Sequence, residues 1–140
     1  MEIGRILNRE LFLYLLDLEV KRARRYQNFF CILSLKLSRL SDSGNEKKLQ
    51  NCFQTLSHWL SEELRESDIL GSLGDHQLAA LLPYADLSSG SHARERYEGS
   101  LKYFNFKNDG FELTIHQVCF PKDGTDTADL IRKITGIEAA

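Results

Sequence analysis

No two cysteines in this chain stand in a CxxC spacing. Cys31, Cys52 and Cys119 are odd in number and far apart. They read as reduced, packed thiols in a cytoplasmic protein, not as a disulfide frame or a zinc site. The histidines, His58, His76, His92 and His116, are equally scattered, so these residue types predict no metal site. No apolar run approaches the roughly 20 residues that cross a bilayer, and the opening "MEIGRILNRE" lacks the apolar centre of a signal peptide. Charge of one sign is also missing. The formal net charge of -2 offers no general attraction to DNA, RNA or an acidic membrane, so any site for a polyanion has to be local. Repeats, low-complexity segments and linkers are absent as well. What remains, at 140 residues with 42% hydrophobic and 27% charged, is a single domain over residues 1–140, long enough to bury a real core.

Apolar periodicity orders that domain. "NRELFLYLLDLEVKRARRYQ" predicts an amphipathic helix with Leu11, Leu15 and Leu18 on one face, Phe12 and Leu16 beside them, and Asn8 as N-cap. The basic run Lys21 to Arg25 closes it, its cations opposing the negative end of the helix dipole. "FFCILSLKL", Phe29 to Leu37, is nearly continuous in apolar residues and predicts a central strand covered on both faces. A polar loop, "SRLSDSGN", leads to a second helix with Leu49, Phe53, Leu56, Leu60 and Leu64 at helical spacing. Trp59 lies at the margin of that face as a core residue. "LRESDILGSLGDHQLAALLP", Leu64 to Pro83, reads as strand, turn and strand. A third helix follows with Ala93, Tyr97, Leu101 and Phe104 inward. Asn108-Asp109-Gly110 makes a turn, Leu113 to Phe120 a late strand, and Thr125 or Asp126 caps a last helix. Helix, strand, helix, strand, strand, helix, strand, helix predicts an α/β sandwich on a mixed sheet.

In that order three stretches carry a resemblance. "LNRELFLYLL…RARR" resembles the opening helix of the GGDEF domains, the diguanylate cyclase family. "SDILGSLGDHQLAALLP" resembles their signature hairpin, and "LTIHQVCFPKDGTDTADLI" their late strand and turn. The resemblance implies a nucleotidyl-cyclase-like α+β sandwich, its mixed and mainly antiparallel sheet flanked by helices. It also places the signature on Gly74-Asp75-His76-Gln77-Leu78. The family joins two GTP molecules with Mg²⁺ or a similar ion, which needs carboxylates. Where those are implied, this chain has His76 and Gln77, with Ser34 or Lys36 at the end of the first long strand. A neutral imidazole suits a hard ion poorly, and Asp75 reads as a turn residue. The expectation is therefore a degenerate active site: no enzyme, no catalytic residues, no metal and no cofactor. His116, where the resemblance implies glycine, is expected to pack into the late strand.

One family element stands complete. "RESD" supplies Arg65 and Asp68, spaced from Gly74 as in the RxxD site at which many GGDEF domains bind their product, cyclic di-GMP. A guanidinium can grip a guanine edge or a phosphate bidentately, and a carboxylate can accept from guanine N–H groups. The same four residues also read as a solvated helix end, with Asp68 satisfying loop amides. Three functions follow as expectations: first a cyclic di-GMP receptor or regulatory module through Arg65 and Asp68, second a docking domain for a signalling protein or a second copy, and last in order a weak diguanylate cyclase or GTP-binding regulator. The first helix is the surface to inspect for the second.

Overall fold

The computed structural model describes residues 5–40 and 45–136. Residues 41–44 of the expected polar loop and the tail at 137–140 lie outside the described residues. In chain order the elements are β1 (Ile6–Leu7), α1 (Arg9–Arg25), β2 (Phe30–Arg39), α2 (Glu46–Glu63), β3 (Ile69–Gly74), β4 (Gln77–Pro83), α3 (Leu87–Leu101), β5 (Phe111–Phe120) and α4 (Thr127–Thr135). Two short 3₁₀ turns, Lys102–Phe104 and Phe106–Asp109, join α3 to β5. The expected order holds, with the two-residue β1 added in front.

Each of these α-helices starts on a residue whose side chain takes up an amide left over by the first turn. Asn8 accepts from the Leu11 N–H, Asn45 from those of Lys47 and Lys48, Asp86 from Ser89, and Asp126 from Asp129. Of the two candidates for the last cap, Asp126 is the one used.

The sheet runs β1-β3-β4-β2-β5. Only β1 and β3 are parallel; β3–β4, β4–β2 and β2–β5 are antiparallel. This is the mixed, mainly antiparallel sheet implied by the sequence. β2 lies inside it, as its apolar run predicts. Alternate residues of β2 point to opposite faces. Leu33, Leu35 and Leu37 enter a core with Leu56 and Leu60 of α2 and Tyr97 of α3, whereas Phe30 and Ile32 enter a second core with Phe12 of α1 and Leu130 of α4. Helices α2 and α3 cover one face, α1 and α4 the other.

Four expectations need correction. The buried face of α1 is Phe12, Leu16, Val20 and Ala23, while Leu11 and Leu18 are 44% and 45% exposed. Two adjacent apolar stripes run along this helix, and the sheet takes the one carrying the aromatic. Phe12 fits there because β3 offers Gly71: a Cβ on Gly71 would stand 2.5 Å from the Phe12 ring. Phe104 is not an inward residue of α3 but lies in the following 3₁₀ turn, partly exposed. Cys31 and Cys119 are not separate thiols. They face each other across β2 and β5 with Cα atoms 4.1 Å apart, are joined as a disulfide, and leave Cys52 as a buried free thiol. Sequence spacing hid the pair because 88 residues separate its members, and only the strand register brings them together. Burial, with Asp109 nearby, pushes the Cys52 thiol up from its ordinary pKa. His116, finally, is exposed on β5 instead of packed.

Candidate functional site

The β3–β4 hairpin has two ends, and each carries one of the sequence's candidate sites. At its tip Asp75 and His76 both adopt the left-handed conformation, φ 51° and 59°. These are the two central residues of a tight hairpin turn of the type that demands positive φ at both positions. Gly74 precedes them at φ 86°. The His76 carbonyl accepts from the Leu37 N–H at 3.1 Å, and its ring meets Phe53 edge to face at 5.3 Å. Leu78 is buried in the α2/α3 core.

Gln77 is buried on the other face. Its Nε2 donates to Ser34 Oγ at 2.6 Å and to the Ile134 carbonyl at 2.7 Å, and Ser34 Oγ donates to that same carbonyl at 3.1 Å. This network ties the hairpin and β2 to the end of α4. An amide NH₂ and an imidazole do not fit a hard divalent ion that selects oxygen donors, and the one hydroxyl oxygen here, Ser34 Oγ, is already engaged with Gln77 and the Ile134 carbonyl. Among the described residues no group of three or more His, Cys, Asp or Glu is arranged to hold a metal. Lys36, the other candidate at the end of β2, is exposed and pairs in register with Gln77.

At the opposite end, roughly 20 Å away at about 3.3 Å per strand residue, lies a cavity of about 180 Å³. Arg65 and Asp68 line it from the α2–β3 turn, Tyr84 from the end of β4, and Ser89, Arg96 and Tyr97 from α3. Arg65 and Asp68 are brought together, in a specific way. The Asp68 carboxylate is only 3% exposed, and the Arg65 side chain is 63% exposed. Asp68 accepts from Arg65 Nη2 at 2.9 Å and from its Nε, and also takes the Arg65 backbone N–H at 2.9 Å. The carboxylate thus acts inward, fixing both the turn and the guanidinium. The hydrogen bond to Asp68 raises the Arg65 pKa further above its ordinary value, so this charge persists at any physiological pH.

Two contributors escaped the sequence reading. Arg96 comes from the second half of α3 and sits over the adjoining Tyr97 ring at 5.2 Å; only the packing of α3 on the sheet brings it to the same cavity as Arg65. Arg5 is the second. Its guanidinium donates to the carbonyls of Ser61 (3.0 Å), Leu64 (3.3 Å), Asp68 (3.4 Å) and Arg65. It caps the end of α2 and holds the Arg65–Asp68 turn from beneath. The signal in sequence was only an arginine beside the first strand. Tyr97, buried below the cavity, has its phenol pKa raised by burial, with Asp68 and Glu63 adding to the rise and Arg96 opposing it.

The fold and these two ends define a nucleotidyl-cyclase-like domain. Residues 2–136 match the family described as "Diguanylate cyclase, GGDEF domain", and the chain belongs to that family. Solved structures agree in fold. A diguanylate cyclase protein from Thermotoga maritima superposes with a TM-score of 0.81 at 18% identity, over 96% of both chains. The active GGEEF domain of a diguanylate cyclase from Vibrio cholerae gives 0.77 at 15% identity, over 94% of this chain and 87% of that one. The GGDEF domain of DgcB from Caulobacter crescentus, solved in complex with c-di-GMP, gives 0.74 at 11% identity, over 97% and 82%. No curated protein sequence matches the chain.

Family membership corrects one expectation. The chain was expected to be no enzyme, because His76 and Gln77 stand where carboxylates are implied. The family it belongs to is that of the diguanylate cyclases, and an active cyclase domain shares its fold. Membership rests on nearly the whole chain, so two residues at a hairpin tip do not take it out of a family of enzymes.

Proposed function

We propose that this GGDEF domain works in cyclic di-GMP signalling and binds that dinucleotide at the cavity beside Arg65. The observation that carries the reading is the Arg65–Asp68 pair. A buried carboxylate presents a permanently charged guanidinium to solvent in a fixed orientation, at the mouth of a cavity that also holds Arg96. Two guanidinium forks suit the phosphates and guanine acceptor edges of a guanine dinucleotide. Asp68 serves here as the residue that positions Arg65. A cavity of about 180 Å³ is below the roughly 300–1,000 Å³ of sites that enclose a whole ligand, so only part of the dinucleotide enters and the rest lies on the surface. The complex of the Caulobacter domain with c-di-GMP supports the choice of ligand.

Calorimetric titration of the domain with cyclic di-GMP tests this, with GTP plus Mg²⁺ as a second titrant. The expected result is micromolar binding, about -8 kcal/mol, which disappears in Arg65→Ala while the variant stays folded. A flat trace with folded wild-type protein would sink the reading.

A second reading, a docking domain for another protein or a second copy, is favoured by one observation. Leu11, Tyr14 and Leu18 form an exposed apolar stripe along α1. Sedimentation of the wild type against Leu18→Glu tests it: a concentration-dependent mass that the charge removes supports docking through α1.

A further inference from the structure

We infer that Tyr84 is a stacking platform for a purine base at the mouth of the Arg65 cavity, an inference that rests on the reading of that cavity as a dinucleotide site. Tyr84 lines the cavity with Arg65 and Arg96, yet its side chain is not part of the core: the residue is 61% exposed. Its backbone is at φ 63°, a left-handed conformation that bulky residues rarely take and that glycine or asparagine would adopt more readily. Nothing in the packing of the two cores calls for an aromatic ring at this place.

The ring is nevertheless fixed. The Arg22 guanidinium stands over it, its carbon 4.5 Å from the ring centre, and Nη1 donates to the phenol oxygen at 3.3 Å. Arg22 is itself held by both carboxylate oxygens of Glu19, at 3.1 and 2.6 Å. The Tyr84 backbone N–H donates to the Phe29 carbonyl at 3.1 Å. A strained, exposed aromatic is thus clamped by a cation on one face, with two further guanidinium groups lining the same cavity. This is the arrangement a planar base with a flanking phosphate requires: stacking on the ring, charge pairing with Arg65 and Arg96. Because the ring is immobilised before any ligand arrives, less freedom is lost on binding. Since the cavity is too small for a whole dinucleotide, a platform at its mouth is where a base outside it would rest.

The test titrates wild type, Tyr84→Ala, Tyr84→Phe and Tyr84→Gly with cyclic di-GMP, and wild type and Tyr84→Ala with cyclic di-UMP, which keeps the phosphate ring but has no purine. Stacking predicts that Tyr84→Ala binds cyclic di-GMP on the order of tenfold more weakly, that Tyr84→Phe stays close to wild type, and that the preference for the purine ligand shrinks in Tyr84→Ala. Tyr84→Gly separates binding from folding. It relieves the left-handed strain, so its melting temperature stays level or rises while its affinity falls with that of Tyr84→Ala. Equal affinity in wild type and Tyr84→Ala, with Arg65→Ala still abolishing binding, would overturn the platform and leave the cavity reading standing. If wild type binds neither dinucleotide, the cavity reading itself falls and the platform with it.

Discussion

Gln77 and Ser34 are held side chain to side chain, 2.6 Å apart, on the face of the sheet covered by α4, and both donate to the Ile134 carbonyl. They stand on neighbouring strands, two residues out of direct register, and join three elements through one acceptor. The signature hairpin is therefore anchored to the last helix by an amide.

Gln77→Glu turns this donor into an acceptor facing a carbonyl. The variant is expected to lose stability at pH 7, since an unpaired buried charge has no compensating partner there. Burial raises the folded-state pKa of the new carboxyl, so its stability is intact below the unfolded value of about 4.3 and lost as pH rises through the folded one. Gln77→Leu, which leaves the Ile134 carbonyl to Ser34 alone, should lose less, about 1–3 kcal/mol. Denaturant unfolding at pH 5 and pH 7.5 measures both.

Asp68→Ala removes the acceptor for the part-buried Arg65 N–H, at about 1–3 kcal/mol, and frees the exposed guanidinium. Arg5→Ala should loosen the same turn from below, with the α2 carbonyls left to water. Both variants are expected to weaken cyclic di-GMP binding less than Arg65→Ala does. Paired melting and titration curves check the ranking; an Asp68→Ala protein that binds like wild type would remove Asp68 from its positioning role.

On α1 the two apolar stripes should behave differently. Phe12→Ala opens a cavity in a packed core and is expected to cost about 3–5 kcal/mol, whereas Leu11→Ala, at a surface position, stays within about 0.5 kcal/mol. Gly71→Ala drives a methyl group toward the Phe12 ring and should cost about 1–3 kcal/mol. Chemical denaturation of the three variants gives the comparison directly.

Tyr97 sets an alkaline limit. Its phenol pKa is raised by burial from the ordinary 10.0, so the folded chain keeps the proton that the unfolded chain releases. The stability it contributes is fully present below about pH 10 and is lost as pH rises through the folded value. Tyr97→Phe is expected to flatten the decline of unfolding free energy above pH 10, and the pH series for the two proteins shows whether it does.

Much of this molecule could be read from its residues, because strand and helix periods are local. The apolar run of β2 announced a central strand and Asn8 announced a cap, while "RESD" singled out Arg65 and Asp68 without showing that they pair with each other. What escaped depends on distance in sequence. Phe12, not Leu11, faces the sheet because Gly71, nearly sixty positions later, leaves room for its ring. Arg5 and Arg96 reach the Arg65 turn from separate elements, and Cys31 meets Cys119 only through strand register. Nothing in the sequence singled out Tyr84, since a left-handed backbone and a cation above the ring leave no mark in the local pattern. The identity of the family, by contrast, was spread over three stretches in order, and so withstood the substitutions at the hairpin tip.

β2 sends alternate side chains into both cores. Neither layer of helices can therefore detach and leave the other half of the molecule intact, since the strand that would stay behind is the floor of both. Hydrogen exchange at the amides of Ile32 and Leu33, neighbours facing opposite layers, should accordingly report one common opening event rather than two.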